Sequence, residues 1–148
     1  MSRLFDAVVF NLVVVAMIIE GTFIIWSVVG MASLLWLVPS VFLLYYYLRK
    51  HLCTHCPYYG KVCYTGWGVL AAKMFPKEAG NFEKGKKVAP LAWMYFLIIP
   101  FIATIYVGKW THTLIWAFGS TYLVVEHFRF CRRCPLREKC LSRNRLGK

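Results

Sequence analysis

All six cysteines of this 148-residue chain fall in two short motifs of the same design. The first is Cys53-x2-Cys56-Pro57-x5-Cys63 and the second is Cys131-x2-Cys134-Pro135-x4-Cys140. A C-x2-C pair lets two thiolates converge on one ion, because the two intervening residues fold into a tight turn with both sulfurs on its inside. A third cysteine a few residues on can return to the same point from a small loop. Zinc and iron–sulfur centres both use this geometry. One such pair is a weak signal; two copies, with no cysteine elsewhere, point to shared work by the thiols. The expected ligands are therefore Cys53, Cys56, Cys63, Cys131, Cys134 and Cys140.

A closed zinc site wants four ligands, and each motif supplies three. His51 and His127, just ahead of the two motifs, are candidates to complete Cys3His sets, and His55 is another candidate in the first. Alternatively, four cysteines drawn from both motifs hold one centre. Thiol exchange explains the pattern less well, because it needs one C-x-x-C pair rather than two triplets. In both motifs a proline follows the second cysteine, fixing chain direction and removing an N–H beside the ligand, a step that recurs in ferredoxin-type loops. The stretch Cys131 to Cys140, with its Cys-Pro-Leu step, resembles the end of the iron–sulfur loop of endonuclease III-type DNA glycosylases. The cysteine which that loop carries seven positions upstream is replaced here by Val124, so the resemblance implies similar loop geometry and an iron–sulfur ligand set, not kinship. The cofactor expected is an iron–sulfur cluster or zinc, with iron–sulfur preferred.

The elements that must position these motifs are read from hydropathy. Hydrophobic residues make up 59% of the chain, against the 45–50% usual in soluble domains, and they come in blocks. Glu20 is the only charged residue between Ala7 and Leu48, and Lys109 the only one between Val88 and Val125. Each block is about 40 residues, roughly 60 Å of helix against about 30 Å of hydrocarbon, so two spans fit in each. The expected fold is all-α: an integral membrane four-helix bundle of two tandem helical hairpins, each followed by a cytoplasmic Cys-rich loop. Span one covers about Phe5 to Val29, a turn follows at Gly30–Ser33, and span two runs to about Leu48. Span three covers about Pro90 to Val107, and span four runs from the turn Gly108–His112 to about Phe128. The first apolar stretch is too long for a cleaved signal peptide.

Of the 18 lysines and arginines, all but Lys109 fall on one side of this four-span scheme, which the positive-inside rule makes the cytoplasm. Both termini are then inside, and the protein is expected in the cell's inner (cytoplasmic) membrane. Lipid headgroups account for the excess positive charge, and no nucleic-acid partner is implied. Aligning Cys53 with Cys131 places Gly30 on Gly108, so both outer turns coincide and the halves read as an internal parallel repeat. The organisation expected is residues 1–64 (hairpin plus motif), 65–88 (an interfacial helix, with Trp67, Leu70, Met74 and Phe75 towards lipid, then a basic loop over Lys77–Lys87) and 89–148 (the second hairpin plus motif).

Glu20 is the one carboxylate well inside a span, which makes it a functional candidate by default. Asn11 is read as a hydrogen-bonding bridge between helices, and Glu126 as a partner of Arg129 or Arg133. No serine–histidine–acid set, phosphate-cradling loop or catalytic carboxylate pair is present, so hydrolysis and group transfer are not expected. The function expected is membrane-anchored metal-thiolate electron transfer at the cytoplasmic face, with a cytosolic donor and a membrane acceptor such as a quinone as redox partners. The alternatives are a zinc-bound membrane scaffold and a soft-metal transport protein that uses Glu20. An oligomer is compatible with all three.

Overall fold

A computed structural model describes residues 3–134. Among them there are helices and turns and no strand. Helix α1 spans Arg3–Val29 and ends in a 3-10 turn, Gly30–Ser33. Helix α2 (Leu34–Val41), a π-helical segment (Phe42–Tyr47) and helix α3 (Leu48–His51) then run end to end as one leg. A connecting region carries a 3-10 turn, Cys53–His55, and the short helix α4 (Trp67–Met74). Helices α5 (Phe82–Val107) and α6 (Trp110–Arg132) complete an all-α molecule of four legs.

The legs alternate in direction. Asn11, near the start of α1, bonds Thr65 O and Trp67 Nε1 in the connecting region that follows α3. Phe10 of α1 meets Phe130 at the end of α6, with ring centroids 5.8 Å apart. Both motifs therefore emerge at the end of the bundle where α1 begins. Gly30 and Gly108, the turn residues at the opposite end, both have positive φ, 54° and 69°, which L side chains rarely adopt. The expected boundaries of span one and of the Gly30–Ser33 turn agree with the helices to within two residues.

All four legs meet at Gly21. A Cβ there would sit 2.7 Å from Trp36, 3.0 Å from Trp116 and 3.2 Å from Pro100, so only glycine lets α1 come this close. Around this contact Phe10, Trp36, Phe96 and Trp116 belong to one apolar core shared by both halves of the chain.

The outside of the bundle is apolar as well. On α1 the buried positions Ala7, Phe10, Val14, Met17 and Gly21 alternate with exposed Leu4, Val8, Leu12, Val15, Ile19 and Phe23. A helix apolar all round has no face suited to water. Two helical runs, Arg3–His55 and Phe82–Val107, are long and apolar enough to cross a membrane.

Two expectations need correction. The basic loop is shorter than expected because α5 already begins at Phe82: Asn81 caps it, accepting a 3.0 Å bond from the Lys84 N–H, with Glu83 in the first turn. Trp67 does not face lipid. It is buried, donating its indole N–H to Asn11 Oδ1 at 2.7 Å, so Asn11 ties α1 to the connecting region.

Candidate thiolate centre

Both C-x2-C pairs close one hydrogen bond of the same kind, the first on the 3-10 turn Cys53–His55 and the second at the last residues of α6. The Cys56 N–H reaches Cys53 O at 3.2 Å, and the Cys134 N–H reaches Cys131 O at 3.3 Å. In the first motif the turn continues the α3 helix, and Cys56 is extended, as a residue before proline must be. Thr54, fully buried, holds this turn in place, its Oγ1 lying 2.7 Å from both Lys50 O and Ala79 O. The chain then turns back, and the Cys63 sulfur receives the Gly68 N–H at 3.4 Å and lies 3.3 Å from Thr65 Oγ1.

No disulfide joins any two of the five described cysteines. All five line a single cavity of about 210 Å3, bounded by the connecting region on one side and the ends of α5 and α6 on the other. Aromatic and aliphatic residues, among them Leu48, Leu52, Tyr64, Trp67, Trp93 and Phe130, form much of the rest of the wall. Two motifs 78 positions apart in register, Cys53 and Cys131, thus serve one space. Cys140 lies outside the described residues. Among the described residues no three His, Cys, Asp or Glu side chains are already placed to hold a metal ion.

Arg49 is the residue that sequence reasoning missed. It reads as an interfacial anchor, yet it is 1% exposed and lines the cavity. Its Nη1 is 3.5 Å from Cys53 Sγ, its guanidinium lies 2.9 Å from the centre of the Trp67 ring, and Tyr45 is 5.8 Å away. Nε and Nη2 have no hydrogen-bond partner among the described residues. The available signal was its spacing: four residues before Cys53 on a helix, the two side chains share a face.

The thiols are electrostatically unequal. Burial pushes Cys56 up to about 11, with nearby Cys134, Cys53 and Cys63 adding to the rise. Burial also raises Cys53, against the pull of Arg49. For Cys63 burial acts in the same sense, but hydrogen bonds from Thr65, Gly68 and Trp67 outweigh it, and its pKa is lowered. Burial lowers Arg49 to about 10, a shift the neighbouring thiols oppose.

The histidines separate. His127 lines the cavity with Nε2 3.5 Å from Cys131 Sγ. His51 does not line it; its Nδ1 accepts the Asn81 N–H at 2.8 Å and its ring rests on Tyr47. His55 packs against Phe82 and is also outside the wall. Glu20 pairs with His112 Nδ1 at 2.6 Å, in the first turn of α6 and so at the end of that helix opposite Cys131. Glu126 takes Arg129 as its partner, at 2.6 Å.

No protein-family model matches the chain, and no curated protein or solved structure is similar to it.

Proposed function

We propose that this is a four-span membrane protein whose two hairpins share one cytoplasmic metal-thiolate centre, of the iron–sulfur kind, used for electron transfer. The observation that carries the reading is the convergence of five cysteines from both motifs on one cavity, beside a buried arginine two of whose nitrogens have no hydrogen-bond partner among the described residues. An orphaned buried cation is costly unless negative charge faces it, and a thiolate-bound metal supplies that charge. Cys53, Cys56, Cys63, Cys131 and Cys134 are the residues that would hold the group. A cluster held there would supply one-electron chemistry, and the aromatic wall would limit water access, which together with nearby charge tunes reduction potential. Membrane placement is supported by the two long apolar helical runs and by apolar residues exposed on α6, such as Leu114, Phe118 and Val125. The basic residues that flank the motifs orient the cavity to the cytoplasm.

Protein extracted from membranes without oxygen tests the reading. It is expected to be brown, with iron and acid-labile sulfide lost in Cys56→Ser. Protein with neither iron nor zinc bound ends the proposal. A second reading, a zinc clamp between the hairpins, is favoured by one feature: the cavity wall joins the connecting region to the ends of α5 and α6. Colourless protein with stoichiometric zinc, losing its fold on chelation, selects that reading. Transport through Glu20 draws less support, because that carboxylate is paired with His112 away from the cavity.

A further inference from the structure

Arg49 narrows the ligand set, an inference that rests on the thiolate reading above. The side chain is 1% exposed; its guanidinium rests on the Trp67 ring and makes one weak sulfur contact, at 3.5 Å, while Nε and Nη2 have no hydrogen-bond partner among the described residues. Among the described residues the carboxylate ion pairs are Lys86–Glu83, His112–Glu20 and Arg129–Glu126, and none reaches Arg49. A buried guanidinium needs an anion of matching strength. A divalent ion held by two thiolates and two neutral imidazoles is uncharged and offers nothing; each thiolate in place of an imidazole adds one negative charge. Cys131 is exposed and its sulfur faces His127 Nε2 at 3.5 Å, whereas Cys134 is partly buried and lines the cavity with the three cysteines of the first motif.

We infer that Arg49 is the fixed counter-charge of the centre, and that the cavity takes an all-cysteine, net-negative ligand set: Cys53, Cys56 and Cys63 closed by Cys134, with the histidines outside it. Arg49 is a positioning residue. It binds no metal; its Nη1 lies against Cys53, and its charge offsets the mutual repulsion of the first motif's sulfurs.

The test is a titration of metal-depleted, full-length protein in detergent with Co2+ under anaerobic conditions. Wild type is expected to bind one Co2+ per chain with the low-energy ligand-field bands of four sulfurs. His51→Ala, His127→Ala and Cys131→Ser keep that spectrum, and Cys134→Ser loses it. Arg49→Met weakens binding about 10-fold or more, as loss of an outer-shell partner does, and Arg49→Lys recovers most of it. Circular dichroism of the metal-free variants separates lost binding from lost folding. If Arg49→Met does not fold, the lysine variant and the Cys134 and His127 arms still decide. A three-sulfur, one-nitrogen spectrum in wild type, an unchanged spectrum in Cys134→Ser, or wild-type affinity in folded Arg49→Met overturns the inference. Wild type that takes up neither Co2+ nor iron with sulfide overturns the underlying thiolate reading instead.

Discussion

At the scale of single residues, cysteines of one motif sit in different surroundings and should react differently. At pH 8, Cys56, with its pKa raised to about 11, is ionised in roughly one molecule in a thousand, and only the thiolate attacks. Cys63 has its pKa lowered by the hydrogen bonds from Thr65, Gly68 and Trp67, so much more of it is thiolate. A low-pKa thiolate is intrinsically less nucleophilic, which returns part of this advantage. In reduced, metal-free protein Cys63 should be alkylated by iodoacetamide about tenfold faster than Cys56. Raising the pH to 10 should shrink the difference, because Cys56 gains thiolate with each unit while Cys63 saturates. Peptide-resolved mass spectrometry reads both rates, and equal rates at pH 8 would contradict the assigned environments.

Elements raise a different question, which is how a helix survives a proline in its interior. Pro39 lies inside α2 and has no N–H to offer Leu35 O, four residues back. The orphaned carbonyl is taken by α5: the Tyr95 hydroxyl donates to Leu35 O at 2.7 Å. Neighbouring helices are expected to satisfy such groups in membrane bundles. Tyr95→Phe should therefore cost on the order of 0.6 kcal/mol in unfolding experiments in detergent micelles. In a Pro39→Ala background the helix closes its own bond, and the same change should be close to neutral. A double-mutant cycle with no coupling would show that the hydroxyl does something else. Trp36 stacked on Phe96, with centroids 5.9 Å apart, is a second contact between α2 and α5.

For the whole molecule the deciding quantity is topology. Four legs that alternate in direction put Met31 and Lys109 at one end and both cysteine turns at the other. With Met31→Cys or Lys109→Cys, a membrane-impermeant maleimide added to intact cells should label the new thiol and leave the native ones untouched until lysis. Labelling of native cysteines in intact cells would reverse the orientation, place the motifs in an oxidising compartment, and favour disulfides over metal. The leg most at risk is α6, whose Thr111, His112, Thr113, Ser120 and Thr121 make it less apolar than the others. It gains from the bundle: Trp116 Nε1 donates to Leu97 O at 2.8 Å, and Gly119 lets Met17 approach within 2.9 Å of where a Cβ would stand.

Sequence alone determined the features carried by local pattern. The apolar blocks located four helical legs, Gly30 and Gly108 marked the turns, and the C-x2-C spacing announced a hydrogen-bonded turn at each motif. Those signals are one-dimensional, since helix length, turn conformation and ligand spacing are all set by neighbours in the chain. Only the tertiary structure decided that the two motifs face one cavity rather than two, that Trp67 turns inward, and that Arg49 lies buried beside Cys53 while Glu20 finds His112. Each of those outcomes depends on which legs pack together and in what rotation. That is a property of side-chain contacts between residues tens of positions apart, and helices apolar on every face carry no amphipathic stripe from which to read it.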